Sequence, residues 1–368
     1  MGEKALVIGG TGPTGPFIVN GLRERGYDVT IFHRGTHEVP EIPDDVDHIH
    51  GDPHFVETID EALAGRSYDL TVATYGRIRL LAAALAGRSG RFLAVGGVAV
   101  YRGFFQGAKQ FPSGLTAPVP EDAPLVESEE ENHFAALMVQ TERAVLHHHP
   151  SATVFRYPYV YGPYQLVPRE WSIVRRLLDG RPAIILPNGG LTLSTHGWAG
   201  NLAHAVLLAV DQPAAAAGKI YNVGDLEQLT IRQVVEVIAA ALGREVEIVS
   251  VPSQVAGPAR ILSLGGRAHQ LMDTSRIQAD LGYRDVLGVR EALAQTARWY
   301  VDNPPEPGGD IETRLADPFD YAVEDRLIEA ARKSLELMLA VGVERPGRAP
   351  HPYAHPKTAG QERDHRGR

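Results

Sequence analysis

Three glycines carry the first chemical signal in this chain of 368 residues. Gly9, Gly12 and Gly15 stand at three-residue spacing, directly after the apolar run Ala5 to Ile8 and directly before the amphipathic stretch Phe17 to Arg25. A strand, a glycine turn and a helix in that order allow a tight turn, close approach of a pyrophosphate to the backbone, and close packing of helix on strand. The helix N-terminus then offers free N–H groups and positive dipole to the phosphates. Pro13 and Pro16 are compatible with this, because the first helical turn has no partners for its N–H groups. The expected chemistry is dinucleotide binding in the service of redox chemistry at a carbonyl.

The second strand should end at the adenosine ribose, and it ends in Phe32-His33-Arg34-Gly35. An acidic residue there would accept from the ribose hydroxyls of NAD and repel a 2′-phosphate, whereas His33 and Arg34 do the reverse. A guanidinium can clamp that phosphate and stack on adenine, so NADP(H) is expected ahead of NAD(H). Asp52, in the run HGDPHF after the third strand, is placed to accept from the adenine amino group.

These residues need a scaffold, and the first half of the chain supplies one. KALVIGG, YDVTIFHRG, DHIHGD, YDLTVATYG and RFLAVGG read as strands, with helical patterns such as Phe17 to Arg25 and Val56 to Ala64 between several of them. Apolar runs separated by helices imply a parallel sheet covered on both faces, an α/β fold of the Rossmann-type doubly wound kind. Later segments are less regular. ATVFRYPYVYG and GKIYNVG read as strands; Trp171 to Leu178, Ile231 to Leu242 and Val289 to Tyr300 read as helices. The expected organisation is an NADP-binding domain over residues 1–165 and a smaller substrate lobe over 166–303, interleaved with the sheet. Residues 304–368 follow as a C-terminal helix and a Pro/His/Arg-rich tail. Leu327, Ile328, Leu335 and Met338 stand at helical spacing and should dock that helix on the body.

Composition narrows the function. Hydrophobic residues make up 44% and charged residues 22%, as in globular proteins. A net charge of -9 argues against a nucleic-acid partner, and no apolar run reaches membrane-spanning length. The absence of cysteine excludes disulfides, thiolate metal sites and cysteine nucleophiles. With Lys4 to Ile8 already a strand, no secretory signal is expected before it and a cytoplasmic location is the default. No metal ligands are assigned: His147 to His149 read as a helix end that favours cations, and the acidic run Glu129 to Glu131 as a solvated helix start.

Gly9-Gly10-Thr11-Gly12-Pro13-Thr14-Gly15, Asp52 in GD, FRYPYVYGP, KIYNVG and MDTSRIQADLGYRDVLGVREALAQTARWY together resemble the extended short-chain dehydrogenase/reductases, the NAD(P)-dependent epimerase/dehydratase group. The resemblance covers residues 3 to 303 and leaves the rest unexplained. It implies cofactor contacts from Gly9, Thr11, Gly12, Pro13, Thr14, Gly15, His33, Arg34 and Asp52, from Ala73, Thr74 and Tyr75, and from Gly97, Tyr157 and Pro158. It also implies a triad: a Ser/Thr after strand five that polarises a carbonyl, and a Tyr four residues before a Lys that delivers the proton.

Aligning Val100-Tyr101 places the serine at Gly97, and aligning Glu142 with the glutamate that commonly follows the lysine places the lysine at Met138 and the tyrosine at Phe134. No Tyr-x-x-x-Lys occurs between 103 and 150, so a change of register does not restore the triad. The expected function is an NADPH-dependent ketoreductase acting on a small-molecule ketone, bulky and aromatic, whose own phenol assists the reaction. This is similar to the atypical, triad-lacking ketoreductases of aromatic polyketide pathways, of the simocyclinone-pathway kind. A non-catalytic NADP(H) sensor is the alternative, and nucleotide-sugar epimerisation or dehydration ranks third.

Substrate contacts are expected from Tyr101, Phe104 and Phe105 and from Tyr159, with the insert from Arg102 to Ser128 as a lid. His196 reads as structural, since the position that carries Asp in the look-alike family is Asn201 here. The family's habits also raise a homodimer. The tail from Glu344, with Arg345, Arg348, Lys357, Arg363, Arg366 and Arg368, could wrap a neighbour or remain loose.

Overall fold

Strands buried on both faces can carry Val, Ile or Leu at nearly every position, and the apolar runs of the first half therefore assemble into one parallel sheet. In the computed structural model, residues 2–36, 38–257, 268–342 and 358–360 are described. The strands are β1 (Lys4–Ile8), β2 (Asp28–His33), β3 (Asp47–His50), β4 (Tyr68–Ala73), β5 (Ser89–Gly97), β6 (Thr153–Tyr157), β7 (Tyr159–Tyr161), β8 (Ala183–Pro187), β9 (His196–Trp198), β10 (Ile220–Asn222) and β11 (Glu247–Val251). The main sheet has seven strands in the order β10-β6-β5-β4-β1-β2-β3, every neighbour parallel. The order reverses direction between β1 and β4, which opens a crevice at their carboxyl ends.

Helices cover both faces. The first six are α1 (Gly15–Glu24), α2 (Val56–Leu63), α3 (Ile78–Ala84), α4 (Glu129–His148), α5 (Arg169–Leu178) and α6 (Ala199–Asp211). They are followed by α7 (Pro213–Ala216), α8 (Ile231–Ala241), α9 (Ser275–Leu281), α10 (Val289–Asp302), α11 (Asp310–Leu315) and α12 (Tyr321–Ala340). Val7, Ile18, Leu202 and Val206 fill one side of the sheet, and Leu6, Ile8, Phe32, Leu81 and Val145 the other. The lobe has a separate core around Trp171, Ile184, Val235 and Leu293, beside the two-stranded sheet β8-β11. Because β10 and α6 return to the main sheet, lobe and sheet are interleaved along the chain.

The segment after residue 303 is not an appendage. Leu315 and Ile328 enter the lobe core, and Arg176 of α5 is fully buried between Asp317 and Glu324 of that segment. Docking uses only the first half of α12: Leu335 and Met338 are exposed, because the helix runs past the lobe surface that holds Ile328. The tail residues Glu344, Arg345, Arg348, Lys357, Arg363, Arg366 and Arg368 lie outside the described residues. No described helix is long and apolar enough to cross a membrane.

Candidate cofactor and substrate cavity

The glycine turn closes on itself through Gly12 N–H to the Gly9 carbonyl at 3.3 Å and Gly15 N–H to the Gly12 carbonyl at 2.9 Å. Gly9 has φ +86, and a Cβ there would lie 2.3 Å from Tyr75 Cβ. A Cβ on Gly15 would lie 1.9 Å from the Gly10 carbonyl oxygen, so α1 can begin this close to β1 only on glycine. Thr14, the N-cap of α1, makes no capping hydrogen bond, which leaves first-turn N–H groups for an anion. Thr74, just past β4, donates its hydroxyl to the Ile8 carbonyl at 3.0 Å and pins the turn from the other side of the crevice.

A cavity of about 1380 Å³ runs from this turn into the lobe. Of the residues expected to hold cofactor, Gly9, Thr11, Gly12, Pro13, Thr14, His33, Arg34, Thr74, Tyr75, Gly97, Tyr157 and Pro158 line it. Gly15 does not, since it packs beneath the turn, and Ala73 is fully buried in β4. Asp52 is turned away: its carboxylate accepts from His54 Nδ1 at 2.7 Å and from the His54 N–H at 3.0 Å. Hydrogen bonding to His54 holds that carboxyl below the usual range against the burial that raises it. His33 is also recruited elsewhere. Its Nε2 lies 2.9 Å from His48 Nδ1, and burial lowers its pKa, so the cationic character of this end of the cavity comes from Arg34. Arg34 rests over the Tyr75 ring at 5.6 Å from its centroid.

The three family-implied catalytic positions, one at the end of β5 and two a turn apart on α4, converge on the cavity wall as Gly97, Phe134 and Met138. Helix α4 delivers two of them. Its first turn is interrupted at Asn132, whose side chain accepts from Ala135 N–H and restarts the helix, so Phe134 stands in a new first turn, 58% exposed to the cavity. Glu142, two turns on, forms a double hydrogen bond with Arg156 of β6 at 2.9 and 2.8 Å and thereby fixes the helix to the sheet. Met138 Cε sits 2.8 Å from where a Cβ on residue 97 would be. Met138 thus fills the volume a serine would need.

Tyr101 needs correction as a substrate residue. It is buried outside the cavity, donating its hydroxyl to Asn222 Oδ1 at 2.6 Å and accepting from Arg156 Nη1 at 2.8 Å. The Val100-Tyr101 pair follows β5 directly, and the turn there sends the ring under the sheet edge. Phe104, Phe105 and Tyr159 do line the cavity, with Phe105 set edge-on to Phe134 at 6.1 Å between ring centroids. Phe111, the third aromatic of the insert, is fully exposed. The insert is tied down where Gln270 Nε2 donates to the Phe104 carbonyl at 2.9 Å.

The tyrosines of the segment from 157 to 164 have their hydroxyls engaged. The Tyr157 and Tyr159 hydroxyls donate to the backbone carbonyls of Leu202 and Val167, and burial raises both pKa values. Tyr164 gives its hydroxyl to Glu41 at 2.6 Å, and Tyr161 gives its own to Asp225.

Arg169 carries a signal that sequence reasoning missed. It is 2% exposed, lines the cavity, stacks on Tyr159 at 4.2 Å, and its Nε and Nη2 have no hydrogen-bond partner among the described residues. Glu170 Oε1 lies 3.8 Å from Nε, an ion pair beyond hydrogen-bond reach, so the guanidinium is charge-paired yet keeps hydrogen-bond donors for an acceptor-rich ligand. Thr36 and Thr195 also line the wall; of these, only Thr36, three residues beyond β2, was within reach of a motif argument.

His196, in β9, is structural in placement, and Asn201 secures it indirectly by bonding Asp225 and the backbone of Leu287. Burial, with Arg169 nearby, pushes the His196 imidazole down to about 3. An unfolded chain takes up that proton near pH 6.5, so between about 6.5 and 3 the unfolded state binds more protons and stability falls as pH falls. His196→Leu should therefore shrink the loss of stability between pH 7 and pH 5 by about 2 kcal/mol. Urea denaturation of both proteins at the two pH values measures this; parallel pH dependences would refute it.

A parallel sheet with a glycine turn at its switch point, and a lobe closing a cavity over that turn, defines a Rossmann-type dinucleotide-binding protein. The family model for the NAD dependent epimerase/dehydratase family matches residues 5–224, more than half of the chain, and the protein belongs to that family. The dTDP-glucose 4,6-dehydratase of an Actinoplanes species is 28% identical over 225 residues, 61% of this chain and 64% of that protein. The uncharacterized protein YbjS of Escherichia coli is 26% identical over 177 residues, 42% of this chain and 51% of YbjS. The chain thus spans between half and two thirds of the length of these relatives. Among solved structures, dTDP-glucose 4,6-dehydratase DesIV of Streptomyces venezuelae, with NAD and TYD bound, superposes with a TM-score of 0.62 at 22% identity, covering 82% of this chain and 97% of that one.

Proposed function

We propose that this protein is an NADP(H)-dependent ketoreductase that reduces a bulky aromatic ketone without a side-chain acid at the usual place. The observation that carries the reading is the convergence of Gly97, Phe134 and Met138 on one wall of the cavity, three groups with no proton to transfer. Epimerases and dehydratases need a base to remove a hydroxyl proton before oxidation, and Phe134 cannot serve; reduction suffers less from that loss.

The cavity fits the cofactor that the glycine turn implies. Gly9 and Gly15 leave room that any Cβ would fill, the first turn of α1 offers N–H groups to phosphate, and Arg34 and Thr36 supply donors for a 2′-phosphate. When bound, the reduced nicotinamide supplies the hydride. Phe104, Phe105 and Phe134 provide flat apolar surface and exclude water, while Arg169 offers donors to an oxygen-rich part of the substrate. A ketone hydrogen-bonded to its own neighbouring phenol brings its electrophilic assistance with it, and solvent completes protonation. The same three replacements also suit a non-catalytic NADP(H) sensor, and turnover separates the two.

Assay of NADPH consumption with a 2-hydroxyaryl ketone and with its deoxy analogue tests the proposal. The hydroxylated substrate should turn over at least about a hundredfold faster, within the 10²- to 10⁴-fold range a positioned proton donor contributes. Equal rates would refute substrate assistance, and NADPH binding without turnover of either ketone would refute the reductase. Arg34→Ala should weaken NADPH binding by about tenfold or more and NADH binding, which loses only the stacking on adenine, by much less, the difference being that expected for a charge-assisted phosphate contact. A wild-type preference for NADH would remove the role given to Arg34.

A further inference from the structure

At the edge of the sheet, beyond the reading above, His33, His48, His50 and Glu38 bring their side-chain donor atoms within 4.8 Å of one another. We propose that these four residues form a binding site for a divalent transition ion of the zinc class.

Strand register builds the site. Parallel pairing sets His33 opposite His50 and Ile31 opposite His48, so the three imidazoles project from the same face of neighbouring strands β2 and β3. Glu38, from the connection after β2, closes over them. His33 Nε2 lies 2.9 Å from His48 Nδ1 and 3.6 Å from Glu38 Oε1; His48 Nδ1 lies 3.6 Å from Glu38 Oε2, and His50 Nε2 4.0 Å from Glu38 Oε1.

With metal-to-ligand distances near 2.0–2.1 Å, tetrahedral ligand atoms stand about 3.3 Å apart. The four separations run from 2.9 to 4.0 Å and every pair lies within 4.8 Å, so side-chain rotations moving ligand atoms by up to about 1.5 Å would complete the shell. Three imidazoles and one carboxylate suit Zn²⁺ and its borderline neighbours rather than Mg²⁺ or Ca²⁺, which take oxygen shells. The side chains grade from buried His33 to His50, which is 62% exposed, so an ion can enter from solvent.

The site is placed to matter for the cavity. β3 is an edge strand, held to the sheet by β2 alone, and His33 directly precedes Arg34. An ion there would cross-link the edge strand to its neighbour and fasten the segment that carries Arg34 and Thr36. The fold gathers this set from positions 33 to 50, with His33 standing 15 and 17 positions from His48 and His50, whereas in the 147–149 tract His149 turns inward, its Nε2 donating to the Ala82 carbonyl and its ring stacked on Phe92.

Titration of the full-length, chelator-stripped protein with Co²⁺ tests the site. One equivalent per chain should bind, with the intense visible absorption of four-coordinate cobalt, and Zn²⁺ should displace it. His50→Ala and Glu38→Gln alter exposed side chains and should retain the wild-type circular dichroism while weakening Co²⁺ binding by about tenfold or more. His147→Ala/His148→Ala should bind as wild type does. Absence of saturable one-to-one binding, or unchanged affinity in both His50→Ala and Glu38→Gln, would overturn the site.

Discussion

Phe134→Tyr/Met138→Lys should reduce a plain aryl ketone about a hundredfold or more faster than the parent protein, within the 10²- to 10⁴-fold that a positioned general acid contributes. The geometry favours the gain. Residues 134 and 138 are one helical turn apart on the same face of α4, and both line the cavity. Phe134 is exposed to that space, so an added hydroxyl enters it without displacing a neighbour. The lysine belongs in the design because an isolated tyrosine keeps its ordinary high pKa, while an adjacent ammonium lowers it.

Gly97→Ser by itself should do little, since its Cβ only displaces Met138 Cε, the tip of a flexible side chain, and no tyrosine and lysine accompany the new hydroxyl. On the proposed substrate assistance, the hydroxyaryl ketone should gain far less from the double substitution. Steady-state kcat/KM for both ketones decides the matter, and equal gains would show that the parent reaction has no substrate assistance to replace.

The largest effect on stability is expected at Arg176. Its guanidinium is fully buried with Asp317 at 2.6 Å and with Glu324, both also fully buried, and it further donates to the Ser172 carbonyl at 2.9 Å. Arg176→Met strands two carboxylates in the interior, and breaking a buried pair in this way costs about 3–5 kcal/mol. Replacing the whole set, Arg176→Met with Asp317→Leu and Glu324→Leu, should recover most of the loss, because buried ion clusters are often no better than apolar packing of similar volume. Denaturant unfolding of the three proteins measures both steps. A single variant within about 1 kcal/mol of wild type would show that the cluster does not hold α11 and α12 to the lobe.

The features legible in the sequence are those imposed locally. A glycine is needed wherever a Cβ would strike backbone, and Gly9 and Gly15 meet that condition whatever the rest of the chain does. Apolar runs broken by helical patterns are enough to specify a parallel sheet, and all seven strands of it fall where the pattern puts them. The short strands β8, β9 and β11 carry no comparable signal, because each pairs with a single neighbour and lies against a lobe whose residues come from distant parts of the chain.

Side-chain partnership is a matter of tertiary structure. Tyr101 reads as a pocket aromatic until Asn222 and Arg156, 121 and 55 positions away, take its hydroxyl. Asp52 turns to His54, His33 joins His48 and Glu38, and the cavity tyrosines spend their hydroxyls on carbonyls brought in by packing. Arg169 acquires meaning only when the fold buries it beside a cavity with donors unspent. What the sequence by itself determined is where backbone must turn, pair and approach a dinucleotide, and that Phe134 and Met138 stand one turn apart on α4. Which polar groups are committed and which are free depends on contacts between remote segments, and only the folded chain decides that, because hydrogen bonds act over a few ångströms and no residue spacing encodes them.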